Sequence, residues 1–176
     1  MLFKTSPLDI IDKQAEATHY GGFRTFPPRF IYLHGTGGVD SLEWLTSTSN
    51  PPVSCHRLIL QDGRIYKLVD DLDTAWTQGG GVVGMHGPNR RVTCNTDGLS
   101  IELEHRQDGK EPYTLAQLGS CAAQVCEWQG LYGLIPVLGH YDVDRNKRDP
   151  LGFPWGLFWR ILLAKYVVAL GSSDTF

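Results

Sequence analysis

Phe30-Ile31-Tyr32-Leu33-His34-Gly35-Thr36-Gly37-Gly38 is an apolar, aromatic and branched run that breaks into glycine just after a histidine. Such a run predicts a buried strand ending in a loop. Side chains alternate along a strand, so Phe30, Tyr32 and His34 share one face and His34 stands at the strand end.

Outward from this stretch, residues 55–60 and 64–69 are two further strand-like runs. They are separated by Gln61-Asp62-Gly63, and Asp-Gly is a strong hairpin signal, so an antiparallel pair is expected. Leu99-Ser100-Ile101-Glu102-Leu103-Glu104 alternates strictly, with leucine and isoleucine on a core face and Ser100, Glu102 and Glu104 on a polar one. Thr114 followed by Gln117 fits a capping box. Leu115, Leu118, Ala122 and Val125 then recur at helical spacing, with Gly130 as the expected stop. Residues 155–170 follow Pro154 with a broad apolar face and predict a second helix ended by Gly171. The segment from Trp76 to Asn95 is rich in glycine and turn residues and reads as a surface loop. Without a strict βαβα rhythm, the fold class is α/β of the mixed α+β kind: a central mixed β-sheet flanked by helices.

A chain of 176 residues, 41% hydrophobic and 11% aromatic, is enough for one closed core, so residues 1–176 are read as a single domain. A net charge of −3 and a pI near 6.0 offer no general attraction for nucleic acid or anionic lipid. The first residues hold neither a sustained apolar region nor a small-residue cleavage site. The most apolar stretch, residues 157–170, is interrupted by Arg160 and Lys165 and is too short to span a bilayer. The expectation is a soluble, cytoplasmic monomer without a signal peptide. Cys55, Cys94, Cys121 and Cys126 share no CxxC spacing and read as reduced, mostly buried thiols.

Zinc hydrolases use three protein ligands and leave a fourth position for water, with His and Asp as suitable donors. His34 ends a strand, and His140 lies in Leu138-Gly139-His140-Tyr141-Asp142, where another short apolar segment runs into a loop. Asp149 follows nine residues later in Lys147-Arg148-Asp149-Pro150, its backbone held extended by the proline. Taken singly, a strand-end His is more often a hydrogen-bonded structural residue, and an Asp before Pro is a common turn former. No short zinc motif such as HExxH is present.

Read together, these segments resemble the type 2 N-acetylmuramoyl-L-alanine amidases, a family of wall-recycling amidases, phage lysins and peptidoglycan recognition proteins. Phe30 to Thr36 is similar to the family's first metal-ligand strand, and residues 53–69 to its central hairpin. Ala75-Trp76 matches the start of its Ala-Trp-His-Ala-Gly segment. Asn95 and Leu99 to Glu104 resemble the strand bearing the catalytic glutamate. Gly139-His140-Tyr141-Asp142 with Lys147-Arg148-Asp149-Pro150 resembles the segment carrying the last two ligands. The resemblance implies the peptidoglycan-recognition-like fold, with Zn2+ on His34, His140 and Asp149, Glu102 as general base or acid, and Lys147 steadying the oxyanion. It implies peptidoglycan or a muropeptide as substrate, with no nucleic acid or membrane partner. Strand alternation alone leaves Glu102 and Glu104 equivalent; the family register favours Glu102.

Two departures stand out. Thr77 occupies the position after Ala-Trp that is usually His, and residues 79–96 follow no recognisable pattern, which leaves substrate contacts across 77–96 open. Arg90 and Arg91 are candidates there for peptide carboxylates. His56 reads as structural, and His19, His86 and His105 have no partner pattern. One rival is a non-hydrolytic peptidoglycan-binding protein. Another is a cysteine peptidase using Cys55 or Cys94 with His56 or His86. Within the amidase reading, a phage lysin is taken first and a cytoplasmic enzyme acting on anhydro-muropeptides second.

Overall fold

The structure is a computed structural model that describes residues 7–17, 19–78 and 94–171. Six strands form one mixed sheet in the order β1-β5-β4-β7-β3-β8: Ile10–Asp12, Ile65–Lys67, Arg57–Ile59, Gly98–Leu103, Phe30–Gly35 and Val137–Gly139. Within it β5 and β4 run antiparallel, while β1·β5, β4·β7, β7·β3 and β3·β8 are parallel. The antiparallel pair is the expected hairpin, its turn made by Gly63 at φ 90°, a conformation glycine adopts without steric cost. A two-stranded ribbon, β2 (Tyr20–Phe23) with β6 (Asp73–Ala75), lies outside this sheet. No alternation in the sequence marks β1, β2 or β6, which are only three or four residues long.

β7 is central in the sheet. Ser100 and Glu102 do share a face opposite Leu99, Ile101 and Leu103, but every residue of β7 is buried, so the polar face is covered rather than solvated. The leucine and isoleucine face, with Ile31, Leu33 and Ile59, packs on two helices, α3 (Leu115–Tyr132) and α4 (Trp155–Gly171), in the main core. On the other face Leu58, Tyr66 and Leu68 pack with Leu45 of α1 (Ser41–Thr46), and one-turn α2 (Cys94–Asp97) leads into β7.

Thr114 caps α3 by accepting from Gln117 N at 3.0 Å. The Gln117 side chain does not return the bond; its amide donates instead to Ile59 O and Glu104 O, tying the helix to the sheet. The helix also runs past Gly130 to Tyr132 and stops at Gly133, whose φ of 93° closes it. Glycine within a helix costs about 1 kcal/mol relative to alanine. Continuing the helix lets Tyr132 pack on the main core, and that packing offsets the cost.

Arg24 is buried between the ribbon and the sheet. Its guanidinium donates to Asp71 O at 2.7 Å and Asp73 O at 2.9 Å, and lies 3.0 Å from His56 Nε2. Removing it deprives the Asp71 and Asp73 carbonyls of that donor away from water, at about 1–3 kcal/mol each. Arg24→Ala is therefore expected to destabilise the protein by about 3–5 kcal/mol, seen as a lower urea midpoint at an unchanged m-value. A loss below about 1 kcal/mol would mean that water replaces the guanidinium.

Candidate active site

Parallel register assembles the site. His34 on β3 pairs with Glu102 on β7, and Leu33 pairs with Gly139 on β8, so His140 emerges one step beyond, beside His34. All three strands are parallel, so their carboxyl ends coincide, the usual place for a ligand in such a sheet. His140 opens a short 3-10 turn, His140–Asp142, held by Gly139 N donating to Asp142 Oδ2 at 2.8 Å. Tyr141 N donates to Asp149 O at 3.2 Å, which folds the 147–150 segment back over the strand ends.

The three side chains converge. His34 Nδ1 and His140 Nδ1 are 3.0 Å apart, His140 Nδ1 and Asp149 Oδ2 3.0 Å, and His34 Nδ1 and Asp149 Oδ2 3.4 Å. Tetrahedral zinc with ligand bonds of about 2.0 Å requires donor atoms about 3.3 Å apart. The observed triangle fits a metal ion, and these three residues form a potential metal-holding group among the described residues.

Electrostatics agree with the geometry. Burial pushes the His34 imidazole down to about 4, against the opposing hydrogen bond to Asp149, so the ring is neutral at pH 7 and keeps a lone pair for a metal. Burial also opposes ionisation of Asp149, but hydrogen bonds from His140 and His34 outweigh it and hold the carboxyl well below the usual carboxylate range.

This triangle lies in an open cleft of about 410 Å³, whose walls include Glu102, Lys147, Thr77 and Trp44. Glu102 is buried, its Oε2 has no hydrogen-bond partner among the described residues, and burial followed by the charge of Asp149 pushes its carboxyl up to about 8. A carboxyl poised near neutrality and facing a cleft suits proton transfer. Glu104, on the same face by alternation, lies beyond the end of the strand, where its Oε1 accepts from Ser41 N at the start of α1. Lys147 is exposed at the cleft wall, and Arg145 and Arg148 are exposed outside it.

The remaining candidates lie elsewhere. His56 Nδ1 accepts from Ser100 N at 3.0 Å and the ring is fully enclosed, as its structural reading predicted. His105 stacks on Tyr113 at 4.0 Å, and His19 stacks against Trp76. Cys55 and Cys94 are buried free thiols, and burial raises the pKa of both, an unsuitable setting for a nucleophile. The Thr77 hydroxyl, in place of the family's His, lies 2.8 Å from Ser54 O and 2.7 Å from Ser100 Oγ. His86, Arg90 and Arg91 lie outside the described residues. Gln78, in the stretch expected to be a surface loop and not singled out by any motif, is instead buried against His34.

Solved structures give the class: the fold is that of the type 2 amidases. The family model described as N-acetylmuramoyl-L-alanine amidase matches residues 24–152, and the chain belongs to that family of enzymes. Among solved structures, AmpD, determined as a selenomethionine derivative, is 26% identical over 92% of this chain and 99% of its own, with a TM-score of 0.71. AmiD from E. coli, solved with the substrate anhydro-N-acetylmuramic acid-L-Ala-D-gamma-Glu-L-Lys, is 25% identical over 85% of this chain and 60% of its own, with a TM-score of 0.63. The Ph2119 endolysin of a Thermus scotoductus bacteriophage shares the fold at 18% identity over 87% of this chain and 98% of its own, with a TM-score of 0.63. No curated protein matches the chain. No helix among the described residues is long and apolar enough to cross a membrane.

Proposed function

We propose that residues 1–176 act as one monomeric catalytic domain, a zinc amidase that cleaves the bond between N-acetylmuramic acid and L-alanine in soluble anhydro-muropeptides. The donor triangle of 3.0, 3.0 and 3.4 Å carries the metal part of this reading, with His34, His140 and Asp149 as ligands. When bound, zinc supplies Lewis acidity, polarising the carbonyl and lowering the pKa of water from 15.7 to about 7. In its ionised form Glu102 takes the proton of the attacking water and delivers it to the leaving nitrogen, so the C–N bond breaks to give a muramoyl carboxylate and a free alanine amine. Lys147 offers its ammonium group to the charge developing on the carbonyl oxygen.

The substrate class is supported by the relatives of 25% identity or more, since AmiD was solved holding an anhydromuramoyl peptide. A phage lysin attacking intact sacculi is the alternative role for the same chemistry. Mass spectrometry of digests with added zinc is expected to show free stem peptides released faster from soluble anhydro-muropeptides than from sacculi, and no release with chelator. Preference for sacculi would reverse the role. Zinc uptake with no release from either substrate would favour a binding protein.

A further inference from the structure

A histidine that ligates a metal through Nδ1 has its single proton on Nε2, and that N–H, once buried, needs an acceptor. For His34, Nε2 points away from the donor triangle into protein. The group facing it among the described residues is the Gln78 amide, whose Nε2 lies 3.4 Å away. Gln78 is only 2% exposed, and its Oε1 is buried with no partner among the described residues. Half a turn about Cγ–Cδ exchanges the two amide atoms and brings the carbonyl oxygen opposite the imidazole.

The two amide orientations therefore select opposite tautomers. With Nε2 of Gln78 donating, His34 needs a lone pair on Nε2, and its proton sits on Nδ1, the atom 3.0 Å from His140 Nδ1 and 3.4 Å from Asp149 Oδ2. That tautomer blocks the metal. With Oε1 accepting, the proton moves to Nε2 and Nδ1 is open. The backbone around Gln78 is pinned: Asn95 Oδ1 accepts from Thr77 N at 3.2 Å and from Gln78 N at 2.9 Å. His140 Nε2, by contrast, is buried with no partner among the described residues, so the support is built for one of the two imidazoles.

We infer that Gln78 is a positioning residue for metal binding, its side-chain carbonyl accepting the Nε2–H of His34 and fixing the tautomer that presents Nδ1 to the ion. This deepens the zinc reading and rests on it.

The test compares wild type, Gln78→Met and Gln78→Glu, each first stripped of metal and then titrated with zinc against a chromophoric chelator. Nitrogen-15 spectra of the histidine rings are recorded in parallel. In zinc-loaded wild type His34 is expected as the Nε2–H tautomer, with that proton exchanging slowly with water. Gln78→Met, similar in size but without an acceptor, is expected to weaken zinc binding about tenfold to a hundredfold and to speed that exchange. Gln78→Glu, which restores an acceptor, is expected to recover both. Zinc affinity in Gln78→Met equal to wild type would overturn the inference, as would a loss in Gln78→Glu as large as in Gln78→Met. Wild type that takes up no zinc would instead overturn the metal reading beneath it, and that result is read before any variant.

Discussion

Asp149→Ala is expected to lose tight zinc binding and to lower amidase turnover on the order of 10³-fold or more. The carboxylate is the only anion in the triangle and lies 3.0 and 3.4 Å from the two imidazole nitrogens. Without it, two imidazoles remain, too few donors for the three protein ligands of a catalytic zinc site. Lewis-acid assistance contributes several kcal/mol to the transition state, and about 4 kcal/mol corresponds to about 10³ in rate. Zinc content after dialysis and the rate of stem-peptide release check the two halves together. A variant that keeps one zinc per chain and full turnover would remove Asp149 from the metal site.

Glu102→Gln is expected to do the opposite with the metal: zinc stays bound while turnover falls about 10²–10⁴-fold, the usual worth of a positioned proton-transfer group. Glu104→Gln serves as the control and is expected to turn over like wild type, because Glu104 meets the start of α1 rather than the cleft. Equal losses in the two variants would sink the assignment.

The same substitution carries a stability signature in metal-free protein. The Glu102 carboxyl is raised from 4.5 to about 8 by burial and then by the charge of Asp149. Between those values the folded chain holds a proton that the unfolded chain has released, so stability falls as pH rises through that window. His34, lowered to about 4 by burial, acts in the other direction: below its ordinary value of 6.5 the unfolded chain binds the extra proton, and stability falls as pH drops. Subtracting the Glu102→Gln curve from wild type cancels the His34 contribution, present in both. The difference is expected to decline from about pH 5 to about pH 8. A flat difference would mean that Glu102 is ionised throughout.

Much of the local structure was legible because it is written in short-range patterns. The turn at Gly63 follows from Asp-Gly between two apolar runs, and the α3 start follows from Thr114 three residues before Gln117. Where two local signals competed, packing decided. Gly130 was the natural stop for α3 by propensity, yet the helix continues because Tyr132 reaches the core. The three- and four-residue strands β1, β2 and β6 were invisible because alternation over so few positions cannot be told from a loop.

By itself the sequence determined that His34 ends a buried strand, that His140 follows another apolar segment running into a loop, that Asp149 is held extended before Pro150, and that Glu102 shares a face with Ser100. Periodicity and turn chemistry act between neighbours and need no knowledge of the fold. Only the tertiary structure decided that these residues meet, that Glu102 rather than Glu104 faces the cleft, and that Gln78 stands behind His34. Those outcomes depend on which strands lie side by side and in what register, with β3 between β7 and β8. That order is fixed by burial summed over contacts far apart in the chain, which no local pattern encodes.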